Sequence, residues 1–440
     1  MTSDVILPLE ERVLQLFEEL GIERAHIAAR SVGDWQGFAT AHPDRIASLS
    51  LLCPMALDMR PYAGLASRTL VITGGRGAIA ERVATVLQSV RGIACARLAD
   101  YEALMWSDLA ADRGSEIASA MHDFLQSVDR RPSPETLRLP ETAGEAAGIS
   151  YRIRGAGPPL VLMPLELAPS QWTPLLPALA RHYSIIELGG AYLGTVALLE
   201  ARSRSIIRTV LDLVQIRPGE KVLDVGCGSG VAIREVARRS AEANPLIGLD
   251  MSPYLLREAK QLARRDGFGD MIEFHEGHAE ALPFPDDSID VALSCTVMEE
   301  CDADRMLAEL IRVAKPGGRV AVVVRAVDVP AWVNLPLSPE LKAKVSRPGL
   351  FGAGVAPGGC ADASLYRRFS EAGLTQLHCF AQFSAVTPEE PRLRMLQQQA
   401  LALFSADEAS QWQHAIEQAK AEGTSFLAQP HHCAVATKPL

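Results

Sequence analysis

"KVLDVGCGSG", Lys221–Gly230, is an apolar strand-like run that breaks into three alternating glycines, and the helix-like "VAIREVARRSA" follows at once. Gly226, Gly228 and Gly230 let a ligand approach the backbone of the turn, with a helix N-terminus just behind it. A second strand-like run, "LIGLD", ends on Asp250, twenty residues past Gly230. An acidic residue there can accept hydrogen bonds from both hydroxyls of a ribose. The competing reading is a dinucleotide-binding turn, which spaces its glycines G-x-G-x-x-G around a pyrophosphate. Here the spacing is G-x-G-x-G, and Asp224 stands two residues before the first glycine. That carboxylate is badly placed for a diphosphate and well placed for a cation or an amino group.

Around this centre the chain has 440 residues, enough for two or three domains, with 48% hydrophobic residues and a formal charge of -10. No dense Lys/Arg run occurs, so neither nucleic acid nor an anionic membrane surface is expected as a partner. The eight cysteines are spread singly, with no C-x-x-C pair and no metal-ligand spacing. The first ten residues do not resemble a signal peptide, and no apolar run reaches the length of a membrane helix. A reduced, cytoplasmic protein without a metal is the expectation. The fold class is α/β with two domains: residues 1–190, a connecting helix at 191–205, and residues 206–440.

Four blocks of the second domain resemble, in order, the motifs of class I S-adenosylmethionine-dependent methyltransferases of the UbiE-like ("methyltransferase 11") type. They are "VLDVGCGSG", "LIGLDMSPYLLREA", "GHAEALPFPDDSIDVALSCTVMEE" and "MLAELIRVAKPGGRVAVV". The resemblance implies a Rossmann-like, seven-stranded sheet and S-adenosylmethionine as cofactor. It implies that Asp224 and the turn Gly226, Cys227, Gly228 and Gly230 hold the methionine part, that Asp250 takes the ribose, and that Met251 packs on the adenine. His278, Ala279 and Glu280 occupy the adenine-capping block; His278 replaces the family's usual Asp or Asn, which shifts recognition toward the Ala279 backbone. Cys295, at the end of the fourth strand, is placed against the cofactor. Glu299 and Glu300 stand where many relatives have a histidine. They are read either as a general base for a hydroxyl or ammonium, or as caps of the following helix.

The substrate is expected to be a small, fairly apolar metabolite, methylated on oxygen or nitrogen. Its specificity belongs to an inserted loop at about 326–365, where Trp332, Phe351, Cys360 and Tyr366 are candidate wall residues and "GLFGAGVAPGGC" is read as a mobile lid. A competing reading within the fold is an arsenite-type methyltransferase using Cys295 and Cys360, although the further cysteines such chemistry wants are absent. A later helical insert, "EEPRLRMLQQQALALFSADEASQWQHAIEQAKAEG", is read as closing over the site or forming a homodimer contact.

The front half resembles an α/β-hydrolase in two pieces. "AARSVG", Ala29–Gly33 with the residue before it, resembles a nucleophile elbow centred on Ser31, but its first glycine is Ala29. Gly77 stands where the triad acid belongs, Glu102-Ala103 where the histidine turn belongs, and Met163-Pro164 in the oxyanion loop. The chemistry is therefore expected to be lost. "GISYRIRGAGPPLVLMPLELAPSQWTPLLPALARHYSIIELGG" resembles the first strands of the same fold, placed after its last ones. One circularly permuted, degenerate domain is expected, since half a sheet would leave a long bare edge.

Overall fold

Runs of buried apolar strand alternating with amphipathic helices build two separate eight-stranded sheets in the computed structural model. The structure describes residues 9–30, 36–104, 107–129, 141–165, 167–189, 206–240, 244–350, 354–386, 403–424 and 426–440. The connecting helix expected at 191–205, Ser31 and Phe351 lie outside the described residues. The chain divides into two compact units, Met1–Leu198 and Leu199–Leu440.

In the first unit, strands β1 (Ala25–Ala29), β2 (Ile46–Leu52), β3 (Thr69–Gly74) and β4 (Ala94–Leu98) precede β5 (Thr142–Ala146), β6 (Ile149–Arg154), β7 (Pro159–Leu162) and β8 (Ser184–Gly189). The spatial order is β4-β3-β2-β1-β7-β8-β6-β5. The two sequence segments thus meet inside one sheet, where His26, Ile27 and Ala28 pair in parallel with Leu160, Val161 and Leu162. β6 runs antiparallel to β8, and β5 to β6. Helices α1 (Leu9–Glu19), α2 (Gln36–Ala41) and α3 (Ala78–Ser89) cover one face, and α4 (Leu109–Asp129) the other. Cover on both faces is why β1, "AHIAA", is buried at every position. His26 is accommodated there by two hydrogen bonds, Nδ1 to Ser48 Oγ at 2.7 Å and Nε2 to Asp129 Oδ1 at 2.9 Å.

The second unit contains β9 (Val222–Val225), β10 (Leu246–Asp250), β11 (Ile272–Glu276), β12 (Ile289–Cys295), β13 (Ala314–Arg325), β14 (Trp332–Asn334), β15 (Thr375–Val386) and β16 (Phe426–Thr437). Its order is β11-β10-β9-β12-β13-β16-β14, with β15 on the other edge of β16. The expected seven strands are joined by β14, which lies in the inserted loop. The reason is the length of β16. Its pairing with β13 begins only at His431, and β14 takes the same edge at Phe426–Ala428. After Ala314 the β12–β13 register jumps to Arg319, bulging the Pro316-Gly317-Gly318 turn out of the ladder. α5 (Val231–Arg239) follows β9, α6 (Pro253–Arg265) follows β10 and α7 (Ala303–Val313) follows β12; α8 (Pro339–Val345), α9 (Ser364–Glu371) and α10 (Ala406–Ala421) come later. Val333, Leu341, Val345, Trp412 and Ile416 form a small separate core, so the inserted loop and the late helix pack on each other.

Candidate cofactor site

β9 is central among the parallel strands, with Asp224 opposite Gly248 on one side and Leu293 on the other. Beyond it the backbone folds back. Gly226 and Cys227 donate to Leu249 O at 2.7 and 2.9 Å, and Gly230 donates to Cys227 O at 2.8 Å. Gly226 has φ +70°, and a Cβ there would stand 2.2 Å from Val297 Cγ2, so the loop leaving β12 closes directly on this glycine. Gly228 has φ +54° with nothing within 4 Å of where a Cβ would be. The turn is therefore tight on one side and open on the other.

Asp224 is 1% exposed, and its Oδ2 has no hydrogen-bond partner. Burial pushes its carboxyl up to about 7; the Ile233 N–H opposes this, and the nearby Asp250 carboxylate adds to it. A buried acid with a free oxygen fits a cationic or hydrogen-bond-donating ligand group. Asp250 ends β10. Its Oδ2 accepts from Gly228 N–H at 2.8 Å and its Oδ1 from Ser252 N–H at 2.8 Å. Burial raises this carboxyl also, against three backbone N–H groups, of Ser252, Gly228 and Met251. Met251 is 63% exposed, a large apolar side chain open to solvent beside the turn. Cys227 is buried, and its thiol is raised well above the ordinary range, chiefly by burial. Cys295 is half-buried at the end of β12.

Two residues of the adenine-capping block remain accessible: His278 is exposed and Ala279 half-buried. Glu280 is otherwise engaged. It accepts from Asp302 N–H at 2.9 Å and lies 3.3 Å from Arg305, which ties it to the start of α7. The two glutamates are placed differently. Glu299 is fully enclosed; its Oε1 accepts from the Arg325 N–H at 2.7 Å and lies 3.4 Å from Nε, while burial raises its carboxyl. It fastens the exit of β12 to the end of β13 and offers no surface for a proton transfer. Neither glutamate caps α7: Asp302 does, accepting from Asp304 N–H and Arg305 N–H. Glu300 is exposed.

The described candidates for the substrate wall, Trp332, Cys360 and Tyr366, have different surroundings. Trp332, 58% exposed, meets Phe383 edge-on at 6.2 Å. Cys360 is 1% exposed, in a core with Met298, Leu365 and Phe369. Tyr366 is half-buried, its OH 2.7 Å from His432 Nδ1, and His432 Nε2 is 2.7 Å from Asp328 Oδ1. The end of the expected lid, residues 356–360, is pinned, since Ala356 donates to Glu299 O, Cys360 to Met298 O, and Ala303 to Gly358 O. The sequence reading missed the Tyr366–His432–Asp328 relay; the adjacent "HH" of His431-His432 was its one visible signal. Among the described residues, no group of three or more His, Cys, Asp or Glu is placed to hold a metal, and no helix is long and apolar enough to cross a membrane.

A Cβ added at Gly77 would stand 2.5 Å from Glu102 Oε1. Met163 N–H is spent on Ala28 O at 2.9 Å. His122 packs against His182 at 4.4 Å.

A methyltransferase-domain family model matches residues 216–346. The UbiE ubiquinone/menaquinone biosynthesis C-methyltransferase of Hahella chejuensis is 33% identical over 150 residues, 32% of this chain and 60% of that protein. An uncharacterized 37.1 kDa protein of a Streptomyces fradiae transposon is 33% identical over 154 residues, 34% of this chain and 42% of that protein. The chain thus spans about half the length of these curated relatives. Among solved structures, the Bacillus subtilis YcgJ protein is 18% identical, covering 53% of this chain and 98% of its own, with a TM-score of 0.36. Members of the matched family use S-adenosylmethionine as methyl donor, and residues 216–346 match that family's methyltransferase domain.

Proposed function

We propose that the chain transfers a methyl group from S-adenosylmethionine to a small, fairly apolar metabolite. The observation that carries this reading is the free, buried Oδ2 of Asp224 beside the open face of Gly228. In it, Asp224 and the Gly226–Gly230 backbone hold the methionine part of the cofactor. Asp250 takes the ribose hydroxyls. Met251, His278 and Ala279 surround the adenine, with Cys227 lining the turn and Cys295 facing the reacting end. When bound, the cofactor supplies a methyl group already activated by sulfonium. The chain's own task is then to orient an acceptor in line and exclude water, which can account for most of the catalysis. Glu300 is the remaining carboxylate for proton removal in this region. The relatives named as C-methyltransferases add carbon to oxygen and nitrogen as the accepting atom. The arsenite-type alternative is disfavoured by the enclosure of Cys360.

For the first unit we infer a degenerate, circularly permuted α/β-hydrolase-like scaffold without catalysis of its own. The support is the single sheet shared by residues 25–98 and 142–189, together with the meeting of Gly77 and Glu102.

Calorimetry with S-adenosylhomocysteine tests the cofactor reading. Binding is expected, and Asp250→Ala should weaken it by about tenfold or more, the worth of hydrogen bonds to a charged group. No binding to the unaltered chain, or binding indifferent to Asp250→Ala, refutes it.

A further inference from the structure

The loop leaving β13, the turn after α8 and the first half of β16 enclose a small cleft of about 30 Å³, room for one functional group at its base, that opens to solvent. Arg325, Val327, Val329, Arg347, Gln429 and His431 are among its lining residues, and among the described residues no aspartate or glutamate lines it. Arg325 ends β13, with His431 opposite it in the ladder. Open α/β sheets take their ligands at the carboxyl ends of parallel strands, and Arg325 is at that end, next to the terminus of β12.

The frame of the cleft is fixed. Val327 N–H donates to Ala361 O at 2.8 Å, and Ala326 N–H to Pro430 O at 3.1 Å. Asp328 accepts from Ala363 N–H at 3.0 Å and pairs with His432 at 2.7 Å, which Tyr366 holds from its other nitrogen. The relay therefore acts on the cleft wall. Glu299 answers the charge of Arg325 from within the fold, whereas Arg347 is exposed and brings a second guanidinium to a cleft that has no carboxylate among its described lining residues. Valine and proline side chains at the rim reduce the local dielectric and strengthen an ionic contact.

We propose that this cleft is a subsite for an anionic oxyacid group, carboxylate or phosphate, carried by the methyl acceptor. The acceptor is then an acidic small molecule with an apolar body. Arg347 supplies the planar fork that matches two oxygens, and Gln429 and His431 supply further polar contacts. The assignment of an acceptor rests on the methyl-transfer reading; the anion site itself does not.

The test uses the full chain with three probes: benzoate, phenyl phosphate and the uncharged benzamide. Each is titrated by calorimetry, with and without S-adenosylhomocysteine. At least one anion should bind, about tenfold or more tighter than benzamide, and its affinity should fall with added salt. Whichever anion binds tighter names the group. Arg347→Ala should lose about tenfold, and Arg347→Lys should retain part of the affinity. Thermal unfolding of Arg347→Ala should match the unaltered chain, since the residue is exposed. Equal binding of benzamide, indifference to Arg347→Ala, or no anion binding overturns the proposal. Anion binding without S-adenosylhomocysteine binding instead refutes the methyl-transfer reading and leaves the anion site standing.

Discussion

If Asp224 holds a cationic group of the cofactor, cofactor affinity must depend on pH in a way that this one carboxyl sets. Its folded pKa is about 7 against an ordinary 3.8, with burial as the first cause. The ligand selects the ionised form, so each protonated molecule must first lose a proton. With a pKa near 7, the dissociation constant for S-adenosylhomocysteine should rise about tenfold from pH 8 to pH 6, and about a hundredfold from pH 8 to pH 5. Binding at pH 6 should release about 0.9 proton, measurable by calorimetry in buffers of different ionisation enthalpy. Asp224→Asn should bind more weakly throughout but without that slope. The same shift has a stability consequence. Because the folded pKa lies above the unfolded one, the ligand-free chain is most favoured below about pH 4 as far as this group is concerned. It loses up to about 4 kcal/mol as pH rises through 7, and Asp224→Asn removes that loss. A dissociation constant constant within about twofold from pH 8 to 6, or a slope that survives Asp224→Asn, would refute the reasoning.

Gly226→Ala should destabilise the chain by about 2–4 kcal/mol in chemical denaturation, because its Cβ would drive into Val297 at a left-handed φ; a loss under about 0.5 kcal/mol contradicts the tight side of the turn. Glu299→Ala should cost about 2–4 kcal/mol by stranding the Arg325 N–H and guanidinium, while Glu299→Gln, which keeps the acceptor, costs less; equal effects would argue against the tie. Cleavage within residues 130–140 should leave the two pieces of the first unit co-eluting in native buffer, and a fluorophosphonate should leave Ser31 unlabelled; free separation or labelling overturns the permuted or the non-catalytic reading respectively.

The glycine turn and the strand ends carrying Asp224 and Asp250 were legible because short-range geometry dictates them: a strand, a tight turn and a helix leave a periodic pattern with glycine only where no Cβ fits. What remained hidden depends on contacts distant in sequence. "MEE" reads as two surface acids, yet Arg325 draws Glu299 inside and leaves Glu300 out. Cys360 and Tyr366 sit in a segment whose aromatics and glycines suggested an open wall. Backbone hydrogen bonds to Met298 and Glu299, and the His432 pairing, turn that segment inward. The eighth strand was invisible because a three-residue strand carries no alternation of its own; it exists only because β16 overhangs β13. His26 shows the converse: a histidine in a fully apolar strand is tolerated because Ser48 and Asp129 are waiting for both of its nitrogens.

The placement of β1 against β7 also bears on how the chain is made. β1 is near the middle of its sheet, yet the strand that covers its second edge is about 130 residues further along. At roughly 5–20 residues per second of translation, that edge waits on the order of 7–26 seconds with its N–H and C=O groups unmatched. The apolar neighbours β2 and β3 emerge during the same interval, so a nascent chain presents a growing half-sheet with one raw central edge. The ribosome-bound chain is therefore a substrate for holdase chaperones through this window, and truncations ending before residue 150 are expected in the insoluble fraction.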